Sequence, residues 1–182
     1  MILMGQVVIM WVKVEMSGKK WSAGIYRRSA YQGETEQMFL GRYEHTIDEK
    51  GRLIIPVRYR EGLKNGAYIT QGFEKNLVVH TPLTFNKLYE ELNQTNLVDP
   101  NARLLKRLIL SYAEKIELDR VGRFLIPHFL RETAQLKSAV VLVGMGDYFE
   151  IWSPDLWEQQ QNQMQNADLT SERFAAFKLS TR

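Results

Sequence analysis

Cysteine is absent from the chain, which excludes a disulfide framework and any thiolate metal site and fits a reducing compartment. The net charge is small as well. The 24 basic and 21 acidic residues leave a formal net charge of +3, too little to mark a nucleic-acid binder by bulk electrostatics. The apolar opening run, residues 1–12, has no basic leader and is interrupted by Lys13 and Glu15 before bilayer-spanning length, so neither a signal peptide nor a membrane span is expected. Catalytic signatures are missing too. There is no P-loop and no serine elbow, and Gly144-Met-Gly146 lacks the third glycine and the helix-opening context of a dinucleotide loop. His45, His80 and His128 show no zinc-site spacing with carboxylates. The expectation is a non-enzyme with no metal, no cofactor and no small-molecule substrate.

What the chain does have is a repeat. Asp48-Glu-Lys-Gly51-Arg52-Leu-Ile-Ile-Pro56-Val-Arg-Tyr-Arg60 and Asp119-Arg-Val-Gly122-Arg123-Phe-Leu-Ile-Pro127-His-Phe-Leu-Arg131 share aspartate, glycine, arginine, proline and a trailing arginine at identical internal spacing. The offset of 71 positions between Asp48 and Asp119 becomes 72 between Gly72 and Gly144, so one residue has been inserted on the way. Beyond the slip, Leu77–Pro82 lies over Phe149–Pro154, and Phe85 over Trp157. Two copies with a helix between them are too few for a solenoid. They suit two units packed about a pseudo-two-fold axis, with an arginine on each half. The 182 residues with a 45% apolar share are enough for one or two domains with a real core.

The basic residues are unevenly placed. From Val140 to Thr170 there are five acidic residues and no Lys or Arg. Arg42, Lys50, Arg52, Arg58, Arg60 and Lys64 crowd the first motif, while Lys115, Arg120, Arg123, Arg131 and Lys137 crowd the second. A basic face on a nearly neutral body is therefore expected.

Each motif reads as a β-hairpin, with Tyr43–Ile47 entering, Asp48–Gly51 turning and Arg52–Ile55 leaving. Gly51 and Gly122 supply the left-handed residue that closes such a turn. Asp48 and Asp119 are expected to accept backbone N–H bonds there, or to pair with Arg52 and Arg123. A paired-carboxylate hydrolase finds no support, because those arginines would hold both aspartates ionised. Pro56 and Pro127 open short helices over 57–63 and 128–136. Two further hairpins follow, 67–72 with 77–80 and 139–143 with 148–152. Thr81-Pro82 and Ser153-Pro154 then cap and start helices of about a dozen residues. Between the units, Asp99 caps an amphipathic helix from Pro100, with Leu104, Leu105, Leu108, Ile109 and Tyr112 on its apolar side. Arg103, Lys106 and Arg107 fall on the other side, as a solvated face or as contacts to phosphate or a neighbouring subunit.

Met38-Phe-Leu-Gly41, the two Asp-x-x-Gly-Arg-x-x-x-Pro motifs, Asn101-Ala-Arg103 and Glu150-Ile-Trp152 ahead of Trp157-Glu158 closely resemble the MraZ family of bacterial transcriptional regulators, over about residues 38–170. The resemblance implies an α+β, mainly β fold, in which tandem AbrB-like units interlock as a swapped-hairpin β-barrel with flanking helices. The corresponding domains are unit 1 at 40–92, a connecting segment at 93–109 and unit 2 at 110–164, with a tail at 165–182. Chains of this family begin at a methionine placed like Met38, so 1–37 reads as a poorly structured extension. Its Lys13, Lys19, Lys20, Arg27 and Arg28 would add nonspecific DNA affinity.

The function implied is sequence-specific binding of double-stranded promoter DNA by a ring-like homo-oligomer. It would mainly repress the division and cell-wall gene cluster, in the cytoplasm and at the nucleoid. Carried residue by residue, the DNA-contacting signature falls on Arg52 and Arg123, oriented by Asp48 and Asp119 on the turns of Gly51 and Gly122. Lys50 and Arg120 at the turn tips, and Arg42, are the phosphate candidates. The competing reading of each Asp–Arg pair is an internal hairpin lock. The competing function is an antitoxin-type protein-interaction module.

Overall fold

A computed structural model describes residues 38–165. The expected extension at 1–37, with its basic residues, and the tail from 166 onward lie outside the described residues. Strand β1 (Arg42–Thr46) is followed by β2 (Arg52–Ile54), helix α1 (Val57–Arg60) with a 3-10 turn at Glu61–Leu63, β3 (Ala67–Gln71), β4 (Leu77–His80) and α2 (Pro82–Gln94). Helix α3 (Pro100–Leu110) leads into β5 (Glu114–Ile116), β6 (Arg123–Leu125), α4 (His128–Thr133), β7 (Ala139–Gly144), β8 (Tyr148–Trp152) and α5 (Pro154–Gln165). The helix starts follow the local chemistry. Thr81 Oγ1 accepts the Thr84 N–H at 3.2 Å and Asp99 Oδ1 accepts the Asn101 N–H at 2.8 Å, each just ahead of a proline at the first helical position.

The sheets trade strands between the halves. Six strands pair in the order β1-β7-β8-β4-β3-β5, and β2 pairs with β6 in a separate two-stranded ribbon. Exchanging each strand for its repeat counterpart returns the same order read backwards, so the architecture carries the pseudo-two-fold symmetry of the repeat. The expected hairpins β3–β4 and β7–β8 are present. The expected β1–β2 hairpin is corrected: β1 pairs along its whole length with β7 of the other half, from Arg42↔Val143 to Thr46↔Ala139. Only the Ile47↔Leu53 bridge joins its two arms. Among the described residues the six-stranded sheet is open, with edges at β1 and β5, and its ladders do not close into a barrel.

One core sits between the ribbon, the short helices and the sheet. Leu53, Ile55, Tyr59, Leu63 and Ile69 from one half meet Phe124, Ile126, Leu130, Leu142 and Phe149 from the other, all 2% exposed or less. Each such side chain stabilises the fold by roughly 1.5–3 kcal/mol. Because the halves share this core, neither buries its own apolar face alone. Helix α3 keeps its amphipathic expectation, with Ile109 buried and Leu105, Leu108 and Tyr112 half-buried, except at one apolar position. Leu104 is exposed, while Arg103 Nη1 donates to the carbonyls of Leu97 and Val98 and Lys106 Nζ donates to Asn93. Two of the three charges assigned to a solvated or phosphate-facing side instead tie α3 to the end of α2 and the loop before it. Among the described residues no helix is long and apolar enough to cross a membrane.

His80 adds a pH dependence. It is buried against Phe85 and Tyr148, with Nδ1 lacking a partner among the described residues. Burial lowers its pKa to about 4. The folded state therefore favours neutral His80, and the unfolded chain, titrating near 6.5, takes up protons first as the pH falls. Stability is complete above the unfolded value and declines progressively from about pH 6.5 to pH 4. His80→Phe is expected to flatten the Tm-against-pH curve in that window, and an unchanged slope would refute the assignment. Burial also lowers the pKa of His45, with help from Arg60, so a residual slope of the same sign remains in the variant.

Candidate nucleic-acid interface

The two motif turns have nearly the same atomic construction. In the first, Gly51 N–H donates to Asp48 O at 2.8 Å, and Asp48 N–H donates to Arg52 O at 2.9 Å. Asp48 Oδ1 accepts from the amides of Lys50 (3.0 Å) and Arg52 (2.9 Å), while Oδ2 takes Arg52 Nε at 2.8 Å and Nη2 at 2.7 Å. In the second, Asp119 Oδ1 accepts from Val121 (3.0 Å) and Arg123 (2.9 Å), and Oδ2 takes Arg123 Nε at 2.9 Å and Nη2 at 2.8 Å. Gly51 and Gly122 sit at φ 79° and 83°, the left-handed region that closes the turn without a Cβ penalty. The backbone bonds and the arginine pairing coexist on one carboxylate because its two oxygens divide the work.

Electrostatics follow from that geometry. The Arg52 guanidinium and amide hold the Asp48 carboxyl at about 2. The Arg123 amide, then its guanidinium, lower Asp119 as well. Both aspartates are thus anions throughout the physiological range, and each cancels much of its arginine's charge while fixing the direction of the fork. The Asp–Arg pairing across each turn is therefore present in the structure. It does not seal the arginines away, since their side chains are 33% and 31% exposed.

The ribbon places these forks side by side. Arg52 pairs with Leu125, Leu53 with Phe124 and Ile54 with Arg123. Leu53 and Phe124 point into the core, so strand alternation turns Arg52, Ile54, Arg123 and Leu125 to the other face. That face is a checkerboard with arginines at diagonal corners and exposed Ile54 and Leu125 at the others. Arg123 Nη1 lies 3.9 Å from Asp48 Oδ2, so the two turns also touch electrostatically across the pseudo-axis. Lys50 and Arg120 are exposed at the turn tips. Arg42 is not brought to this face. It stands at the far end of β1, about 20 Å of extended chain from Asp48, near Glu44 at 3.9 Å and beside a groove of about 660 Å³ lined by Val141, Trp157 and Glu158.

The trailing arginines, grouped by sequence with the expected basic face, each bond a backbone carbonyl. Arg60 Nε donates to Ile55 O at 3.0 Å and Arg131 Nε to Ile126 O at 3.1 Å. Each guanidinium lies against the turn glycine of the opposite half. Their recurrence at the end of both motifs was the available signal. The three histidines lie on β1, β4 and α4, and among the described residues no group of three or more His, Cys, Asp or Glu side chains could hold a metal ion.

Comparison with known proteins adds a family. A family model described as "MraZ protein, putative antitoxin-like" matches twice, over residues 38–108 and 109–179. The chain is similar to the transcriptional regulator MraZ of Roseiflexus sp. strain RS-1, at 41% identity over 139 residues, 76% of this chain and 97% of the relative. It is similar at 42% identity, over the same shares, to the transcriptional regulator MraZ of Roseiflexus castenholzii. With that of Leuconostoc mesenteroides it shares 43% identity over 120 residues, 66% of this chain and 84% of the relative.

Proposed function

The chain belongs to the MraZ family, and from that premise we propose that it is a DNA-binding transcriptional regulator whose reading surface is the β2–β6 ribbon with its two turns. The observation that carries the proposal is the paired presentation of Arg52 and Arg123, each aimed by its own aspartate and both on one face. An oriented guanidinium suits a base edge or a phosphate. Lys50 and Arg120 on the rims are placed for backbone contacts, which set register rather than sequence. Arg42 is left as a minor phosphate contact at most, given its distance along β1.

In this reading the protein is a repressor of the division and cell-wall gene cluster and acts in the cytoplasm at the nucleoid. A homo-oligomeric ring engages several promoter repeats at once. Multivalency then compensates for the small net charge, because effective concentration multiplies modest single-site affinities. Footprinting the purified protein on DNA upstream of its own gene is expected to give short, regularly repeated protected boxes, with light scattering reporting one large assembly. Absence of protection at low salt, or co-purification of a tightly bound small protein, would favour the antitoxin-type module named in the family description.

A further inference from the structure

We infer that Arg60 and Arg131 are positioning residues acting crosswise: Arg60 holds the turn of the second half and Arg131 the turn of the first, so that the two turns operate as one coupled site. The inference rests on the proposed DNA-reading role of those turns for its functional consequence, but the clamp itself stands on geometry.

Each arginine is anchored in its own half, on the carbonyl of the residue just before its motif proline. The same residues bind the opposite turn through their amides, Ile55 N–H to Gly122 O at 2.9 Å and Ile126 N–H to Gly51 O at 3.0 Å. The guanidinium planes then cover the opposite glycines. A Cβ built on Gly51 would stand 2.9 Å from Arg131 Cζ and 3.0 Å from its Nη2, and one on Gly122 would collide with Cζ, Nε and Cδ of Arg60. Both glycines are buried, although Lys50 and Arg120 beside them are exposed. The roof over each turn is thus supplied by the other half.

Residue type matters here. A guanidinium is flat and wide, and it can spend one N–H on a carbonyl while its face lies on a peptide. Lysine has the charge without the plane. The consequence reaches the reading fork directly, because Gly51 and Gly122 immediately precede Arg52 and Arg123, whose amides are bound by Asp48 and Asp119. Shifting the glycine peptide turns the base of the fork.

The test compares Arg60→Met and Arg131→Met in the full chain without DNA, by NMR of the Gly51 and Gly122 amides and the Arg52 and Arg123 Nε groups. Arg60→Met is expected to move and deprotect Gly122 and Arg123 while leaving Gly51 and Arg52 near wild type, with Arg131→Met giving the mirror image. In parallel, each variant is expected to lose about tenfold in promoter affinity. Arg60→Lys should show the same crossed pattern, and it serves if the methionine variant does not fold. Perturbation centred on the variant's own turn, shared equally by both, or absent would overturn the crosswise assignment. Crossed perturbation with wild-type DNA affinity would uphold the clamp and remove the DNA reading on which its functional consequence rests.

Discussion

Replacing Arg52 and Arg123 together by alanine is expected to reduce promoter affinity by about two orders of magnitude or more, with each single change costing roughly tenfold or somewhat more. Each substitution acts twice. It removes a partly exposed cation, and it uncovers the aspartate that the cation had neutralised, so that in the proposed complex a carboxylate would face the phosphates in its place. The turns should survive, because the Oδ1 bonds of Asp48 and Asp119 go to backbone amides that the substitution leaves in place. Fluorescence anisotropy across several salt concentrations is the measurement, with far-UV circular dichroism as the fold control. Lys50→Ala and Arg120→Ala should weaken binding less and evenly across sequences, each flattening the salt slope by about one. If the double variant binds like wild type at every salt concentration, the Asp–Arg pairs serve only as locks for the turns.

The second large effect is on stability. Gly144 ends β7 where the chain entering β1 crosses it. A Cβ at 144 would collide with the backbone of Phe39 and Leu40, and backbone cannot step aside as a side-chain end can. That crossing is held by Gly144 N–H to Gly41 O at 2.9 Å and by reciprocal bonds between Phe39 and Gly146 at 2.7 and 2.9 Å. Phe39 itself is fully buried, edge-on to Tyr59 at 5.0 Å and to Phe149 at 5.3 Å. Gly144→Val is therefore expected to lift Phe39 from the core at a cost of about 3–5 kcal/mol, lowering Tm by roughly 6–20 °C. The mechanism has its own check in Phe39→Ala. If valine acts by displacing Phe39, the double variant should cost far less than the two single variants added together. Additive costs would show that the damage lies elsewhere. Gly146→Ala is the control, since its Cβ meets nothing within 4 Å and only its φ of 84° is strained.

Much of the local structure was legible from residue types. The turn glycines, the capping threonine and aspartate, the helix-opening prolines and the β3–β4 and β7–β8 hairpins each depend on groups a few positions apart, where spacing nearly dictates the hydrogen bond. Legibility ended where partners are far apart in the chain. Tyr43 to Ile47 alternates in a way that suits a strand, yet nothing in those residues says that β7 rather than β2 will pair with them. Leu104 satisfies a helical apolar stripe, but its exposure was decided by where the neighbouring elements stop. Arg103 and Lys106 have the side chains of a solvated face, and the carbonyls and amide that engage them come from the end of α2 and the following loop.

Taken alone, the amino-acid order determined that there are two copies of one unit, where each turns, and which aspartate stands within reach of which arginine. These are short-range matters, settled by backbone sterics and by carboxylates within reach of nearby amides. Only the folded arrangement decided that the units exchange strands, that Arg52 and Arg123 share a face, and that each turn is roofed by an arginine from the other half. Such pairings join residues from about 45 to about 100 positions apart. They form because neither half can bury its apolar side without the other, and burial rewards the combined core whatever the distance along the chain.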